Sequence, residues 1–203
     1  GAWIPTFAPQ LDGTVYDLKV VDGKLIVAGQ FTNVNGESLT AGLAALDPVT
    51  GTVIPTWRSS LTASGTTARP VARTIDVEGP WIYVGGNFTT ITSLIGPRSE
   101  ARLGRVRVSD GHADTAFRPD VDGVPYGIDA ADGRVYVVGD FDGVNGNTDK
   151  GVSIIDAETG IVIPGMAPPV HTTGSFSRQY QQAVLAVGDV IFQGGSEHNT
   201  QVY

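Results

Sequence analysis

The segment WIYVGGNF, at Trp81–Phe88, is the clearest landmark in the sequence because three other versions of it occur along the chain. They read KLIVAGQF at Lys24–Phe31, RVYVVGDF at Arg134–Phe141 and, in a degraded form, VIFQGGSE at Val190–Glu197. Their last residues are 57, 53 and 56 positions apart (31 to 88, 88 to 141, 141 to 197). Self-similarity at a period near that of a four-stranded sheet predicts an array of β-repeats.

Each repeat reads as four short strands, bounded by Asp-Gly and Pro/Gly turn signals. The first repeat predicts strands at Thr14–Val20, Lys24–Gln30, Ala41–Asp47 and Thr52–Trp57. The second predicts Val71–Val77, Trp81–Asn87, Ala101–Val108 and Asp114–Pro119, and the third predicts Pro125–Ala131, Arg134–Asp140, Gly151–Ala157 and Ile161–Met166. The fourth repeat supplies only Gln182–Val187 and Val190–Gly195.

Antiparallel strands repeated in this way predict an all-β fold, a β-propeller of four-stranded blades, with a stacked solenoid as the competing arrangement. The single domain would hold the closing strand of a preceding blade at 3–9, blades at 14–57, 71–119 and 125–166, and half a further blade at 181–203. That makes about three and a half blades, which cannot close a ring. We expect a longer parent chain or a second copy to supply the remaining blades.

Composition excludes several classes of protein. The 203 residues are 41% hydrophobic and 17% charged, and the 27 glycines and 12 prolines suit short strands and tight turns. A net charge of −8 argues against a nucleic-acid partner and against a polybasic membrane-surface role. The chain has no cysteine, so disulfides and thiolate metal sites are excluded. No apolar run is long enough to insert into a membrane.

The connections predicted at one rim of the blades are long, and those at the other rim are short. Variable loops on a rigid scaffold commonly carry binding, so the long-loop face is the predicted contact surface for a protein or a glycan. Tolerated insertions are the alternative. The candidate binding residues on that face are Arg58, Arg98, His171, Phe176, Arg178 and Tyr180.

One loop has the oxygen-rich composition of a calcium site. Asp140, Asp142 and Asn145 provide side-chain oxygens within six positions, but Val144 stands where a ligand is needed, so an Asx-rich turn is the competing interpretation. The three histidines lack metal-ligand spacing, and a nucleophile elbow is missing from the sequence. The sequence therefore predicts no catalytic set and no cofactor.

Large rings recur once per repeat in two registers. Such rings predict packing between neighbouring blades and no ligand contact. One register holds Phe31, Phe88 and Phe141, and the other holds Phe7, Trp57 and Phe117.

The pattern resembles the delta-60 type of bacterial β-propeller repeat. The likeness rests on Asp132–Phe141 (DGRVYVVGDF), Val144–Gly146 (VNG) and Asp110–Phe117 (DGHADTAF), and it covers nearly the whole chain. A looser likeness to Kelch repeats rests on the paired glycines that end the second strand. The delta-60 resemblance implies a module of a large secreted or surface bacterial protein, and it carries no catalytic residues to transfer.

Three functions follow as expectations. The first is a non-enzymatic binding or scaffolding propeller, extracellular or at the cell surface, that acts through its long-loop face. The second is part of a propeller enzyme, a lyase, hydrolase or oxidase, with its site over the central channel. The third is a purely structural repeat in a surface appendage.

Overall fold

The computed structural model describes residues 4–63, 69–148, 151–165 and 178–198. In chain order the strands are β1 (Thr14–Val21), β2 (Lys24–Gln30), β3 (Leu43–Leu46), β4 (Ser59–Thr62), β5 (Val71–Glu78), β6 (Trp81–Asn87), β7 (Thr90–Ser93), β8 (Gly96–Ser99), β9 (Leu103–Arg107), β10 (Val124–Ala131), β11 (Arg134–Asp140), β12 (Gly143–Val144), β13 (Asn147–Thr148), β14 (Val152–Asp156), β15 (Arg178–Val187) and β16 (Val190–His198). These ranges contain no helix, so the all-β prediction is confirmed.

Each repeat contains one antiparallel blade, in which the strands lie side by side in chain order. The three complete blades are β1-β2-β3, β5-β6-β9 and β10-β11-β14, and β15-β16 form a two-stranded fourth blade. The second strands β2, β6 and β11 have the predicted limits. The β1–β2 turn has positive φ at both Asp22 and Gly23, as a two-residue Asp-Gly hairpin requires.

The fourth strand of each blade is much shorter than predicted. It is reduced to one bridge, formed by the pairs Leu46–Val53, Val106–Ala113 and Ile155–Val162. In the first and third blades a proline follows, Pro55 or Pro164, which has no N–H to extend the ladder. In the second blade the carboxylate of Asp114 accepts the N–H groups of Thr115 and Phe117 and turns the chain. The predictions Thr52–Trp57, Asp114–Pro119 and Ile161–Met166 are therefore too long, and Met166 lies outside the described residues.

The connections after the second strands fold back against the blades as short hairpins. After β6 the chain forms the hairpin β7-β8. Strand β7 also pairs with β4, which follows the end of the first blade in the sequence. After β11 it forms β12-β13. The sequence predicts open loops here, but Val34, Ile91 and Val144 within these connections are fully buried. Burial of these apolar side chains explains why the connections pack against the blades.

Trp57, Phe88, Phe117 and Phe141 fill the spaces between blades, as predicted, whereas Phe31 packs among residues of the first blade and Phe7 is half-buried. Trp57, which ends the first blade, packs in the core of the second, and its indole N–H donates to the carbonyl of Arg107 at 3.3 Å. Phe117, which ends the second blade, packs with Val135 of the third and contacts the Tyr83 ring edge-on, with centroids 5.4 Å apart. Buried rings also occur at Phe31, Phe88 and Phe141.

Candidate binding site

The first strand of every blade contains a β-bulge at the same register. The pairing shifts between Val15 and Asp17, Ala72 and Thr74, Pro125 and Gly127, and Gln181 and Ala183. The extra residues are Tyr16, Arg73, Tyr126 and Gln182, which we call the bulge row. A bulge bends a strand and re-aims the extra side chain, and such irregularities are common beside functional sites.

The second glycine of each landmark explains where the bulge forms. A Cβ on Gly86 would lie 2.0 Å from the carbonyl oxygen of Val71, and one on Gly29 would lie 2.1 Å from that of Thr14. Only glycine permits this close approach of β2 to β1 and of β6 to β5. Glycine at this position therefore marks a close backbone approach beside each bulge.

Three members of the bulge row stack on one another across successive blades. The guanidinium carbon of Arg73 lies 4.6 Å from the ring centroid of Tyr16 and 5.6 Å from that of Tyr126. Both distances are within the range of cation–π attraction. Arg73 is exposed, and within the described part of the chain its guanidinium donates no hydrogen bond. The geometry presents an exposed cation between two rings.

Side chains of each first strand accept backbone N–H groups from the first strand of the next blade. Asp17 accepts from Ile75 at 2.8 Å, and Asp76 accepts from Ala130 at 2.7 Å. Lys19, which occupies in the first blade the register of Asp76, forms an ion pair with Asp76 at 2.7 Å. These bonds hold the first strands side by side and so fix the spacing of the bulge row.

Asp129 continues this series at the third blade. Its carboxylate accepts the N–H of Ala186 at 2.5 Å. Burial raises the pKa of Asp129, the N–H of Ala186 lowers it, and the neighbouring charge of Asp76 raises it again, with a net upward shift. Since Asp76 and Asp129 both serve backbone donors, they act as links between blades.

Two of the predicted binding residues lie at the sheet β4-β7-β8, where Arg58 directly precedes β4 and Arg98 lies on β8. Arg58 is paired with Glu37 at 3.1 Å, and its side chain is 12% exposed. Its backbone N–H donates to the backbone carbonyl of Asp110, in a short turn of the second blade. Arg98 is half-buried on β8. The role of these two residues in binding stays a prediction.

The other predicted binding residues come from the connection before the fourth blade. His171 and Phe176 lie outside the described residues. The backbones of Arg178 and Tyr180 lie in β15, paired with His198 and Ser196 of β16, so the strand begins earlier than the sequence predicts.

The calcium candidates form a structural turn. Asn145 accepts the N–H of Asp120 with Oδ1 at 2.7 Å and donates to the carbonyl of Gly160 with Nδ2 at 2.8 Å. Asn35 repeats both bonds in the first blade. The side chain of Asn145 is thus already engaged, and no cluster of three or more His, Asp or Glu side chains suited to a metal occurs in the described ranges. The Asx-turn alternative describes this loop.

A cleft on the opposite rim, between the second and third blades, contains Arg105 beneath Trp81. The Arg105 guanidinium carbon lies 4.1 Å from the Trp81 ring, and the same side chain pairs with Asp114 at 2.5 Å and donates to the carbonyl of Ala157. Because this buried cation already has its acceptors, the exposed Arg73 is the stronger candidate for contact with a ligand.

Sequence reasoning missed the bulge row, although its signal is present. Tyr16, Arg73, Tyr126 and Gln182 are spaced by 57, 53 and 56 residues, the same intervals as the landmarks. The alternation of apolar and polar residues does not identify them, because a bulge interrupts the two-residue period of a strand. Aligning the first strands on the landmark spacing would have identified them.

Comparisons with known proteins support the repeat architecture. Residues 22–41 and 130–153 match the model of a family described as "Domain of unknown function (DUF5122) beta-propeller". Both segments contain a second strand with its landmark, one in the first blade and one in the third. The fold is a β-propeller.

Two designed proteins are similar in structure. The crystal structure of the computationally designed Ika4 protein has a TM-score of 0.52 at 9% identity, with 92% of this chain and 89% of that chain covered. The computationally designed Ika8 protein has a TM-score of 0.42 at 11% identity, with 89% of this propeller and 55% of that chain covered. No curated protein matches the sequence. In the described ranges of the propeller, no helix has the length and apolarity to span a membrane.

Proposed function

We propose that this propeller is a non-enzymatic binding module of a larger secreted or surface bacterial protein, and that its bulge row binds an acidic glycan. The proposal takes the cellular setting from the delta-60 resemblance. It takes the ligand from the stacked arrangement of Tyr16, Arg73 and Tyr126.

The exposed guanidinium of Arg73 is the observation that carries the proposal. Its donors form a planar fork that matches a carboxylate or sulfate with two parallel hydrogen bonds. The rings of Tyr16 and Tyr126 restrict its motion, so less conformational entropy is lost when an anion binds. An anionic group of the ligand therefore has a defined place.

The flanking tyrosines favour a sugar over a simple anion. A pyranose ring has an apolar C–H face that packs on an aromatic ring. The row also takes one residue from each successive blade. Arg73 is the one cation of the row, so the row suits an oligosaccharide whose acidic group meets Arg73 and whose neighbouring sugars lie on the tyrosines.

The inner carboxylates support a role in binding without catalysis. Asp17, Asp76 and Asp129 each accept a backbone N–H from the next blade. A general acid or base needs its proton-transfer atom directed at a substrate, and these three side chains are committed to the scaffold.

Calorimetric titration with oligogalacturonate tests the function, and the methyl ester of the same oligosaccharide is the uncharged ligand control. We expect binding of the acid and weak or no binding of the ester. Arg73→Gln should weaken binding about tenfold or more, since a charge-assisted pair is lost. Arg134→Gln is the matched control, because Arg134 is also exposed but lies at the turn end of β11.

Two results would reject the proposal. Equal affinity for the acid and the ester would show that the anionic group is not recognised. Unchanged binding by the Arg73 variant would show that the bulge row is not the site.

A further inference from the structure

The two ends of the blade array expose apolar residues that are buried at every internal boundary. In the fourth blade Phe192 is 58% exposed, although its register equivalents Tyr83 and Tyr136 are 1% and 5% exposed. Tyr83 is buried because the third blade covers it. Phe192 therefore lies on the face that would be covered by the next blade in the array.

The first blade also exposes an apolar residue, on the face that points away from the second blade. Leu18 is 53% exposed, although its equivalents Ile75 and Ile128 are 1% and 7% exposed. Ile75 packs in the core shared with the first blade, and Ile128 packs in the core shared with the second. No described residue covers Leu18 in the same way.

We use two names for these surfaces. The front face is the exposed part of β1, with Leu18 and Val20. The back face is the exposed part of the fourth blade, with Leu185, Val187, Val190 and Phe192.

Gly194, on the back face, leaves space for a side chain from a neighbouring blade. At the second blade, a Cβ on Gly85 would lie 2.8 Å from Ile128 of the third blade, so glycine leaves room for that side chain. Gly194 occupies the same register in the fourth blade, and a Cβ there would meet nothing within 4 Å. Leu18 is the register equivalent of Ile128, so the space at Gly194 suits a front face.

The polar groups at the two faces also match. Ala183 stands where Asp17 and Thr74 stand, so the back face lacks the side-chain acceptor that meets the N–H of Ile75 or Ile128 at internal boundaries. The N–H of Leu18 does not require an acceptor from outside, because it already donates to Asp17 of its own strand at 2.7 Å. An apolar junction between the faces would therefore leave the N–H of Leu18 satisfied.

We propose that two copies of this chain associate head to tail, with the front face of each on the back face of the other. The faces lie at opposite ends of one molecule, so a single copy cannot bring its own pair together. Each copy supplies three blades and a two-stranded fourth, and the pair would approach the upper end of the roughly four to eight blades that closed propellers use. Contacts of this heterologous type close into a ring when the rotation per copy allows it.

Sedimentation velocity on the full chain provides the first test. We expect a species of twice the 21.2 kDa chain mass. Leu18→Asp and Phe192→Asp should each weaken association about 100-fold, because a charge would enter an apolar junction. Ile95→Asp is the matched control, since Ile95 is 69% exposed at the tip of the β7-β8 hairpin. Circular dichroism checks that each variant folds.

Cross-linking tests the direction of pairing. The chain has no native cysteine, so single thiols can be placed at will. A mixture of Leu18→Cys and Phe192→Cys chains should form covalent pairs with a short bis-thiol reagent, and each variant alone should not. A monomeric native chain, a Phe192→Asp variant that pairs normally, or Leu18→Cys chains that cross-link to one another would each overturn the proposal.

Discussion

The boundary between the second and third blades and the open back face of the fourth blade use equivalent positions in opposite ways. At the boundary, Tyr83 is buried, contacts Phe117 edge-on and donates its hydroxyl to Ala157 at 3.0 Å. At the back face, Phe192 holds the same register and remains exposed. Burial in this fold is therefore decided by whether a neighbouring blade is present, and residue type alone does not decide it.

The largest effect is expected when one aromatic ring is removed from each region. Phe117→Ala should lower the free energy of unfolding by about 3–5 kcal/mol, because a fully buried ring leaves a cavity between two blades. Phe192→Ala should change it by less than about 0.5 kcal/mol in a monomeric sample. Urea denaturation followed by tryptophan fluorescence measures both. Equal losses for the two variants would contradict the contrast.

The same contrast explains which parts of the structure the sequence could predict. The limits of β2, β6 and β11 follow from a local pattern of apolar residues that end in glycine, so they were predicted to the residue. The inward folding of the long connections depends on which blade their apolar residues meet. No local pattern contains that information.

The site was less predictable than the fold for a related reason. Tyr16, Arg73 and Tyr126 are distant in sequence and meet only because bulges place one of them in each successive blade. Repeat spacing identifies such a set, whereas a search for loops and motifs does not.

A smaller effect is expected from the polar links between blades. Asp76→Ala should lower the free energy of unfolding by about 2 kcal/mol, because the N–H of Ala130 and the ammonium of Lys19 both lose a partner. Leu185→Ala changes the same register position on the open back face and should cost less than about 0.5 kcal/mol in a monomeric sample. Asp120→Asn, at an exposed site, controls for the loss of one carboxylate. A cost for Asp76→Ala as small as that of the control would show that these bonds do not stabilise the boundary.

The smallest effect depends on pH and concerns Glu100, a buried carboxyl beside the segment that follows Phe117. Its Oε1 is buried and makes no hydrogen bond to any described residue. Burial raises the pKa of Glu100 to about 7, although Arg118 and Arg98 lower it, and Asp114 raises it slightly. The folded state therefore favours protonated Glu100, and the associated stability is lost as the pH rises through about 7.

Glu100→Gln removes this dependence, because an amide has no charge to bury. The variant and the native chain should have similar free energies of unfolding at about pH 4. At about pH 8 the variant should be more stable by about 1–2 kcal/mol, a value that allows for screening by the two arginines. Glu158→Gln, at an exposed position, should show no such divergence. Parallel stability curves for Glu100→Gln and the native chain across this range would mean that Glu100 is ionised at little cost. The carboxylate of Glu100 would then be hydrated in the folded protein, although the residue is only 5% exposed.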